Sequence, residues 1–236
     1  MQPTPTFRCC LIAVALLATA IVRDVAAETV EVAPRVKVTK TTFSAPANQQ
    51  PFFGFVELTP RQREANAEFV ASLERATGSR EKAFEEAVRR GWSAFFAGNL
   101  AEAAQRFNQA YLLDPTQSQV FHGLGLIAFE RFRDPVFADE LLRIARTKPS
   151  PSKLLNADYG RFLLVANRPR DAEPVLEQAV IDAPRVPTAW SNLAWSRLQN
   201  GKSAGACEAA SKAELLSPPA NVQSDIALLR EKAGCG

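Results

Sequence analysis

Four prolines recur from the middle of the chain onwards at nearly constant intervals. Successive members are separated by 34, 35 and 34 residues. In the first block a small residue, a large apolar one and another small one precede the proline, namely Ala103, Phe107 and Ala110. A constant period of this length indicates a stack of similar helical units, each of which buries its apolar face against its neighbours. The four prolines are Pro115, Pro149, Pro184 and Pro218.

The period and the pattern inside each block resemble the tetratricopeptide repeat, a helix–turn–helix unit of about 34 residues. The resemblance covers residues 84–218 and implies an all-α, right-handed superhelical solenoid of four repeats. The second block departs from the pattern, because Phe137 stands where a small alanine is expected and Asp134-Pro135 interrupts the turn. We expect that unit to be distorted at its turn. An irregular helical bundle is the alternative, which the constant period disfavours.

Helices are also predicted on both sides of the repeats. Residues 59–83 should form an entry helix, over 60–76, and a lead-in to the first repeat. Thr59 and Gln62 support this, since they have the spacing of a capping box at a helix N-terminus. Residues 219–236 should carry a capping helix, because the terminal units of a solenoid need their outer face covered.

Residues 1–27 have the layout of a secretory signal. Arg8 precedes an apolar run from Cys9 to Val22, and small residues lead to a predicted cleavage after Ala27. The run is shorter than the roughly 20 residues of a bilayer span, although an uncleaved N-terminal anchor is the alternative. Lipidation of Cys9 is rejected because an arginine precedes it. We therefore expect export to the bacterial periplasm, with no membrane span after cleavage.

Residues 28–58 show no helical period and are rich in proline and polar side chains, so we predict an extended tether. A short strand over Val30–Val38 is the alternative, but a lone strand beside a helical array has nothing to pair with. The apolar cluster Phe52–Val56 interrupts the tether and is expected to dock on the repeats of the same chain. The sequence does not say whether this cluster fills a binding groove.

Cleavage of the signal would leave Cys207 and Cys235 as the cysteines of the exported chain. An even pair of cysteines in an exported protein favours a disulfide. Cys207 lies near the start of the second helix of the fourth repeat, and Cys235 follows the capping helix. Consecutive helices run antiparallel, so these two positions should be neighbours. Two unpaired thiols are the alternative.

The sequence contains no recognisable catalytic, metal-binding or cofactor-binding pattern. His122 is the sole histidine, and the phosphate loop, the dinucleotide fingerprint and the HExxH motif are all absent. The adjacent acids Glu85-Glu86 and Asp139-Glu140 point to different faces of a helix and are interpreted as solvated surface. The net charge of +3 is not concentrated in a basic cluster, which disfavours nucleic-acid binding. We predict neither catalysis nor a cofactor.

In tetratricopeptide arrays the first helix of each repeat lines the concave surface, and the resemblance carries this role onto particular positions here. The resulting set is mostly aromatic and aliphatic, as is typical of a surface that binds a protein or peptide. The alternative is that some members, Trp92 and Trp195 above all, belong to the core between helices. A carboxylate clamp found in the family is not matched, because its positions hold Val88, Trp92 and Gly123. The predicted groove comprises Val88, Trp92, Phe95, His122, Leu126, Phe129, Arg161, Leu164, Ser191, Trp195 and Leu198.

These features favour a non-enzymatic protein-interaction scaffold of the periplasm with an unidentified protein or peptide partner. Gly91-Trp92 and the run 106–115 are similar to a group of exported bacterial tetratricopeptide proteins, which supports export and the fold and leaves the function open. An assembly factor for a pilus or secretion apparatus is the first alternative. An envelope enzyme with an unrecognised site is the second.

Overall fold

The computed structural model describes residues 27–235, in which ten α-helices follow a short β-hairpin. Consecutive helices pack in pairs, α2 with α3, α4 with α5, α6 with α7 and α8 with α9, and these pairs are the repeats. Within the described residues no helix combines the length and the apolar character needed to cross a bilayer. The predicted signal sequence lies, apart from Ala27, outside them. The helices are α1 (Pro60–Thr77), α2 (Arg80–Phe96), α3 (Leu100–Leu113), α4 (Ser118–Glu130), α5 (Pro135–Thr147), α6 (Leu155–Val165), α7 (Pro169–Asp182), α8 (Pro187–Gln199), α9 (Ser203–Glu214) and α10 (Ala220–Ala233).

The core of the first two repeats is built around the ring of Phe107, which is fully buried in α3. Gly91 of α2 faces this ring, and a Cβ atom added there would lie 2.7 Å from its Cε1 atom. Gly123 of α4 faces the same ring at still closer range. Because glycine has no side chain at either position, the Phe107 ring can fill the junction of α2, α3 and α4. Gly160 makes the corresponding space for Leu176 in the third repeat.

The turn of the second repeat is a regular helix start, so the expected distortion is wrong. Asp134 is the N-cap of α5, where its side chain accepts hydrogen bonds from the backbone N–H groups of Val136 and Phe137 at 3.1 and 2.9 Å. Pro135 occupies the first helical position, where proline is favoured because no helical N–H bond is lost. Phe137 is buried and its ring lies 6.3 Å from that of Phe55. The large residue at the alanine position thus packs against the N-terminal part of the chain.

Residues 28–58 are not an extended tether. Strand β1 (Thr29–Ala33) pairs antiparallel with β2 (Val36–Thr39), so each strand supplies the partner that a lone strand would lack. Val38 of β2 is fully buried. The N–H of Thr39 donates to the Oε1 atom of Glu140 in α5 at 2.9 Å. The hairpin is therefore part of the folded body of the protein and rests on the second repeat.

Residues 43–56, here called the strap, connect the hairpin to the entry helix and lie against the repeats. Asn108 of α3 is fully buried, and its side-chain Nδ2 donates to the backbone oxygens of Asn48 and Gln50 at 3.0 and 2.7 Å. Phe52 packs with Tyr111 of α3, at a ring separation of 5.2 Å. The docking expected for the apolar cluster is therefore observed, and it occurs on α3, α4 and α5.

The strap ends in a single turn of left-handed helix. Phe52, Phe53, Gly54 and Phe55 all have positive φ, between 51° and 64°. Left-handed conformation costs about 1–2 kcal/mol for each residue that carries a Cβ atom, and three of the four residues here do. The contacts that hold the rings must therefore offset this strain.

The C-terminal end of the solenoid is closed by α10 and by a disulfide. Val222, Ile226 and Leu229 form the buried face of α10. Cys207 in α9 is bonded to Cys235, with a Cα–Cα distance of 5.6 Å, in agreement with the antiparallel arrangement predicted for these helices. The bond joins the end of the terminal helix to its neighbour, which limits fraying at the point where a solenoid is weakest.

Candidate binding surface on the first helices

The first helices of the first three repeats, α2, α4 and α6, border an open pocket of about 560 Å³. Two of its apolar side chains are strongly exposed, Phe96 at 75% and Val165 at 63%. Exposed apolar side chains gathered at one concave place are typical of a site that accepts an apolar group of a partner. We call this the first-helix pocket; its lining is Phe95, Phe96, Gly98, Leu100, Leu126, Phe129, Glu130, Arg133, Asp158, Arg161, Phe162 and Val165.

Aromatic packing fixes the walls of the first-helix pocket. The ring of Phe129 meets that of Phe162 edge-on at 5.0 Å, which joins α4 to α6. Trp92 lies behind the opposite wall and packs edge-on against Phe95 at 5.8 Å and against Phe107 at 5.0 Å. Edge-to-face pairs of this kind stabilise beyond the area they bury, so the pocket is a preformed feature of the fold.

His122 does not line the surface, and its place in the predicted groove is wrong. The side chain is 1% exposed and lies beneath Trp92, with ring centroids 4.7 Å apart. Its Nε2 atom is 3.0 Å from Oδ2 of Asp158, which ties α4 to α6 from inside. The Nδ1 atom has no hydrogen-bond partner among residues 27–235. Ser191 is likewise buried in α8 and cannot touch a partner directly.

The charges around the first-helix pocket leave one cation available. Glu130 and Arg133 form an ion pair at 3.6 Å. Asp158 is engaged by His122. Arg161 is exposed, and the described part of the chain offers it no ion pair or hydrogen bond. A partner that brings a carboxylate beside its apolar group would therefore find an unpaired guanidinium.

The other predicted groove residues divide into three sets. Phe95, Leu126, Phe129 and Arg161 come together in the first-helix pocket. Val88 and Trp92 are partly buried against the core next to it. The remaining predicted residues lie outside the pocket, at the end of α6 and in the fourth repeat. Their side chains are partly buried, and their role in binding stays a prediction. These are Leu164, Trp195 and Leu198.

Sequence reasoning missed four apolar members of the pocket, Phe96, Leu100, Phe162 and Val165. Phe96 and Val165 are the last residues of α2 and α6, where the helical register no longer decides which way a side chain points. Phe162 occupies a core position of α6, and only its neighbour Phe129 brings it to the surface of the pocket. The pair Phe95-Phe96 at the end of α2 was the available signal for Phe96.

The adjacent acids of α5 are not a solvated surface. Asp139 accepts a hydrogen bond of 2.8 Å from the hydroxyl of Tyr159 and lies 3.1 Å from Arg168. Burial, and then the bond to Asp139, raise the pKa of the Tyr159 hydroxyl, so it stays protonated and donates. Glu140 holds the hairpin through Thr39. These acids therefore connect elements of the fold. No group of three His, Cys, Asp or Glu side chains within residues 27–235 is arranged to hold a metal.

The fold and the surface define a class, a helical repeat solenoid with an apolar pocket on its first helices. The sequence model of the tetratricopeptide repeat family matches residues 160–221. The matched residues run from α6 to the start of α10, and the architecture is that of a solenoid of tetratricopeptide-like helix pairs. The family and the structural neighbours indicate no catalytic family, and repeats of this kind generally mediate protein–protein interaction. Comparison with curated protein sequences gave no match.

Three solved structures illustrate the similarity of fold. PilF of Pseudomonas aeruginosa is 27% identical, with a TM-score of 0.57 over 65% of this chain and 70% of that one. PilW, described as a widely conserved type IV pilus biogenesis factor, is 17% identical, with a TM-score of 0.53 over 72% of this chain and 84% of its own. MamA of Desulfovibrio magneticus is 18% identical, with a TM-score of 0.52 over 67% of this chain and 88% of its own. The last two likenesses concern the fold alone.

Proposed function

We propose that this protein is a non-enzymatic scaffold that binds a segment of a partner protein in the first-helix pocket. The observation that carries the proposal is the exposure of Phe96 and Val165 beside the unpaired Arg161. The segment that fits has a large apolar side chain for the pocket and a carboxylate for Arg161. Burying one large apolar side chain contributes about 1.5–3 kcal/mol, enough to give the segment a preferred position.

We place this scaffold in the bacterial periplasm. The charged start, the short apolar run and the small residues before Ala27 support export. The disulfide between Cys207 and Cys235 supports an oxidising compartment, since such bonds persist outside the reducing cytosol. Fractionation of cells that express the full chain, with N-terminal sequencing of the product, tests both the compartment and the cleavage.

Replacing Phe96 with alanine is expected to weaken partner binding about 30-fold while leaving the fold unchanged. The side chain is 75% exposed, so its truncation costs little stability. Truncating an aromatic anchor at an interface commonly costs about 2 kcal/mol, which corresponds to that factor. The measurement is calorimetric titration with the partner, captured by crosslinking from envelope extract and identified by mass spectrometry.

Two matched controls make this experiment specific to the first-helix pocket. Leu215→Ala truncates a side chain that is 84% exposed outside the pocket, and should bind normally. Arg161→Glu reverses the pocket charge and should weaken binding, whereas Arg170→Glu reverses an exposed arginine of α7 and should not. Equal affinities for Phe96→Ala and Leu215→Ala would place the binding surface elsewhere.

A narrower function, assembly of a pilus or secretion apparatus, is favoured by the likeness to PilF, which is 27% identical over 65% of this chain. Under this proposal the captured partner is a component of that apparatus, and deletion of the gene reduces surface pili. If the wild-type chain restores pili in the deletion strain and the Phe96→Ala variant does not, the pocket is required for the assembly role. If the deletion strain assembles pili normally, the narrower function is wrong and only the general scaffold proposal stands.

A further inference from the structure

We propose that the surface under the strap is a second peptide-binding site, which the strap fills in cis and which an aromatic segment of a partner protein can take over. The site lies on α3, the start of α5 and both ends of α4, away from the first-helix pocket. It therefore goes beyond the scaffold role proposed above. We call it the strap groove; it consists of Asn108, Tyr111, Phe121, Arg131, Phe132 and Phe137.

The strap groove recognises the backbone of the strap through Asn108, at a 3-10 turn formed by Ala47–Gln49. This side chain is fully buried, and its Nδ2 atom donates to two carbonyls of the strap, those of Asn48 and Gln50. Its Oδ1 atom is buried without a hydrogen-bond partner. An amide directed at a backbone can serve both a carbonyl and an N–H group, so the strap satisfies only half of what Asn108 offers. A segment that also presents an N–H group would be held more tightly.

Aromatic contacts supply the second part of the recognition. Phe52 packs on Tyr111 and Phe121, at ring separations of 5.2 and 5.9 Å. Phe43 stacks on Phe132 at the other end of the groove, with ring centroids 4.0 Å apart. The matching ligand is therefore a segment with an aromatic side chain at each end and, between them, a turn of backbone whose carbonyl groups face Asn108. Such aromatic anchors dominate the affinity of peptide grooves.

The strap occupies the groove in a conformation that a partner would not need to adopt. Phe52, Phe53 and Phe55 are held at positive φ, which residues with a Cβ atom rarely adopt. The strap is also attached to α1 only through an exposed stretch in which Val56 is 52% exposed. A strained occupant on an exposed connection is displaceable by an unstrained segment that makes the same contacts.

The test uses the full chain and a fluorescent peptide with the sequence of residues 43–56, titrated by fluorescence anisotropy. The tethered strap acts at an effective concentration of about millimolar, so the wild type should bind the peptide weakly. Phe52→Ala weakens the strap and leaves the groove intact, so it should bind the peptide at least tenfold more tightly. Phe53→Gly removes strain from the strap, because glycine accepts positive φ, and should bind it more weakly than the wild type.

Further variants identify the groove as the place of binding. Adding Asn108→Leu to the Phe52→Ala chain should abolish the gain in peptide affinity. Adding Phe96→Ala, in the first-helix pocket, should leave that affinity unchanged. The peptide with alanine in place of Phe43 and Phe52 should not bind. Failure of the Phe52→Ala chain to bind the peptide, with its circular dichroism unchanged, overturns the proposal.

If the Phe52→Ala variant does not fold, a chain cleaved by a protease after the strap tests the proposal instead. A protease site inserted between Glu57 and Leu58 lies in the exposed connection and leaves the strap sequence intact. After cleavage of the folded chain, excess peptide should displace the segment that contains the strap, and the array should keep its helical signal. Retention of that segment against excess peptide, or unfolding on its release, would make the strap a fixed part of the core and contradict the proposal.

Discussion

Replacing Phe107 with alanine is expected to lower the free energy of unfolding by about 3–5 kcal/mol, the usual cost of emptying a fully buried phenylalanine site. The ring is fully buried between Gly91 and Gly123 and packs edge-on against Trp92. Typical domains have a total stability of about 5–15 kcal/mol, so this variant should retain little of it. Urea denaturation followed by circular dichroism measures the effect.

A same-residue control and a double mutant make this prediction sharper. Phe96→Ala removes the same side chain from an exposed position and should change stability by no more than about 0.5 kcal/mol. Gly123→Ala should destabilise on its own, because its new methyl group would meet the ring of Phe107. In the Phe107→Ala background that clash is absent, so the two effects should not add. Additive effects, or a loss below about 1 kcal/mol for Phe107→Ala, would mean that the ring is not the centre of this junction.

Removing the disulfide by Cys207→Ala together with Cys235→Ala is expected to destabilise the terminal helix by about 3–4 kcal/mol on the chain-entropy model. The bond closes a loop with a sequence separation of 28, and it joins α10 to α9. The effect should be local, because each unit of a solenoid contacts mainly its neighbours. Amide hydrogen exchange in α10 should therefore accelerate by at least about 100-fold, since about 1.4 kcal/mol corresponds to a factor of ten.

Reduction of the wild type should reproduce the exchange of this double variant, and the double variant should not respond to reductant. Exchange at Phe107 and its neighbours in α3, far from the bond, should stay as in the oxidised wild type. Unchanged exchange in α10 after reduction would show that packing of Val222, Ile226 and Leu229 holds the helix without the bond.

The repeats were predictable from sequence because their information is local. Each pair of helices carries its own glycines and alanines in a fixed order, and Pro115 and its counterparts mark the ends of the units. The strap was not predictable in this way, because its contacts join residues far apart in the chain. The bond between Gln50 and Asn108 spans 58 positions, and neither residue belongs to a periodic pattern. Phe137, the departure from the repeat pattern, was a visible trace of strap docking, because its ring packs near that of Phe55.

The first-helix pocket was predictable in part for a similar reason. Helical register places Phe95, Leu126 and Phe129 on one face, and the structure brings them into one pocket. The same register also selected His122 of α4. This side chain is buried, since it packs against Trp92 and contacts Asp158 of α6. A register fixes the direction of a side chain along one helix. It does not tell how closely the neighbouring helix approaches.

The strap gives this array a folding order that a plain repeat protein does not have. In most solenoids contacts are short in sequence, so folding can begin in any unit and spread. Here the bond from Arg131 to Gln49 of the strap spans 82 positions, and the bond from Thr39 of the adjoining hairpin to Glu140 spans 101. Closing loops of this length has an entropic cost before the contacts form, which slows folding. The N-terminal residues are made first, yet their long-range contacts must wait until α5 has emerged, so the hairpin and the strap should dock late, on repeats that have already folded.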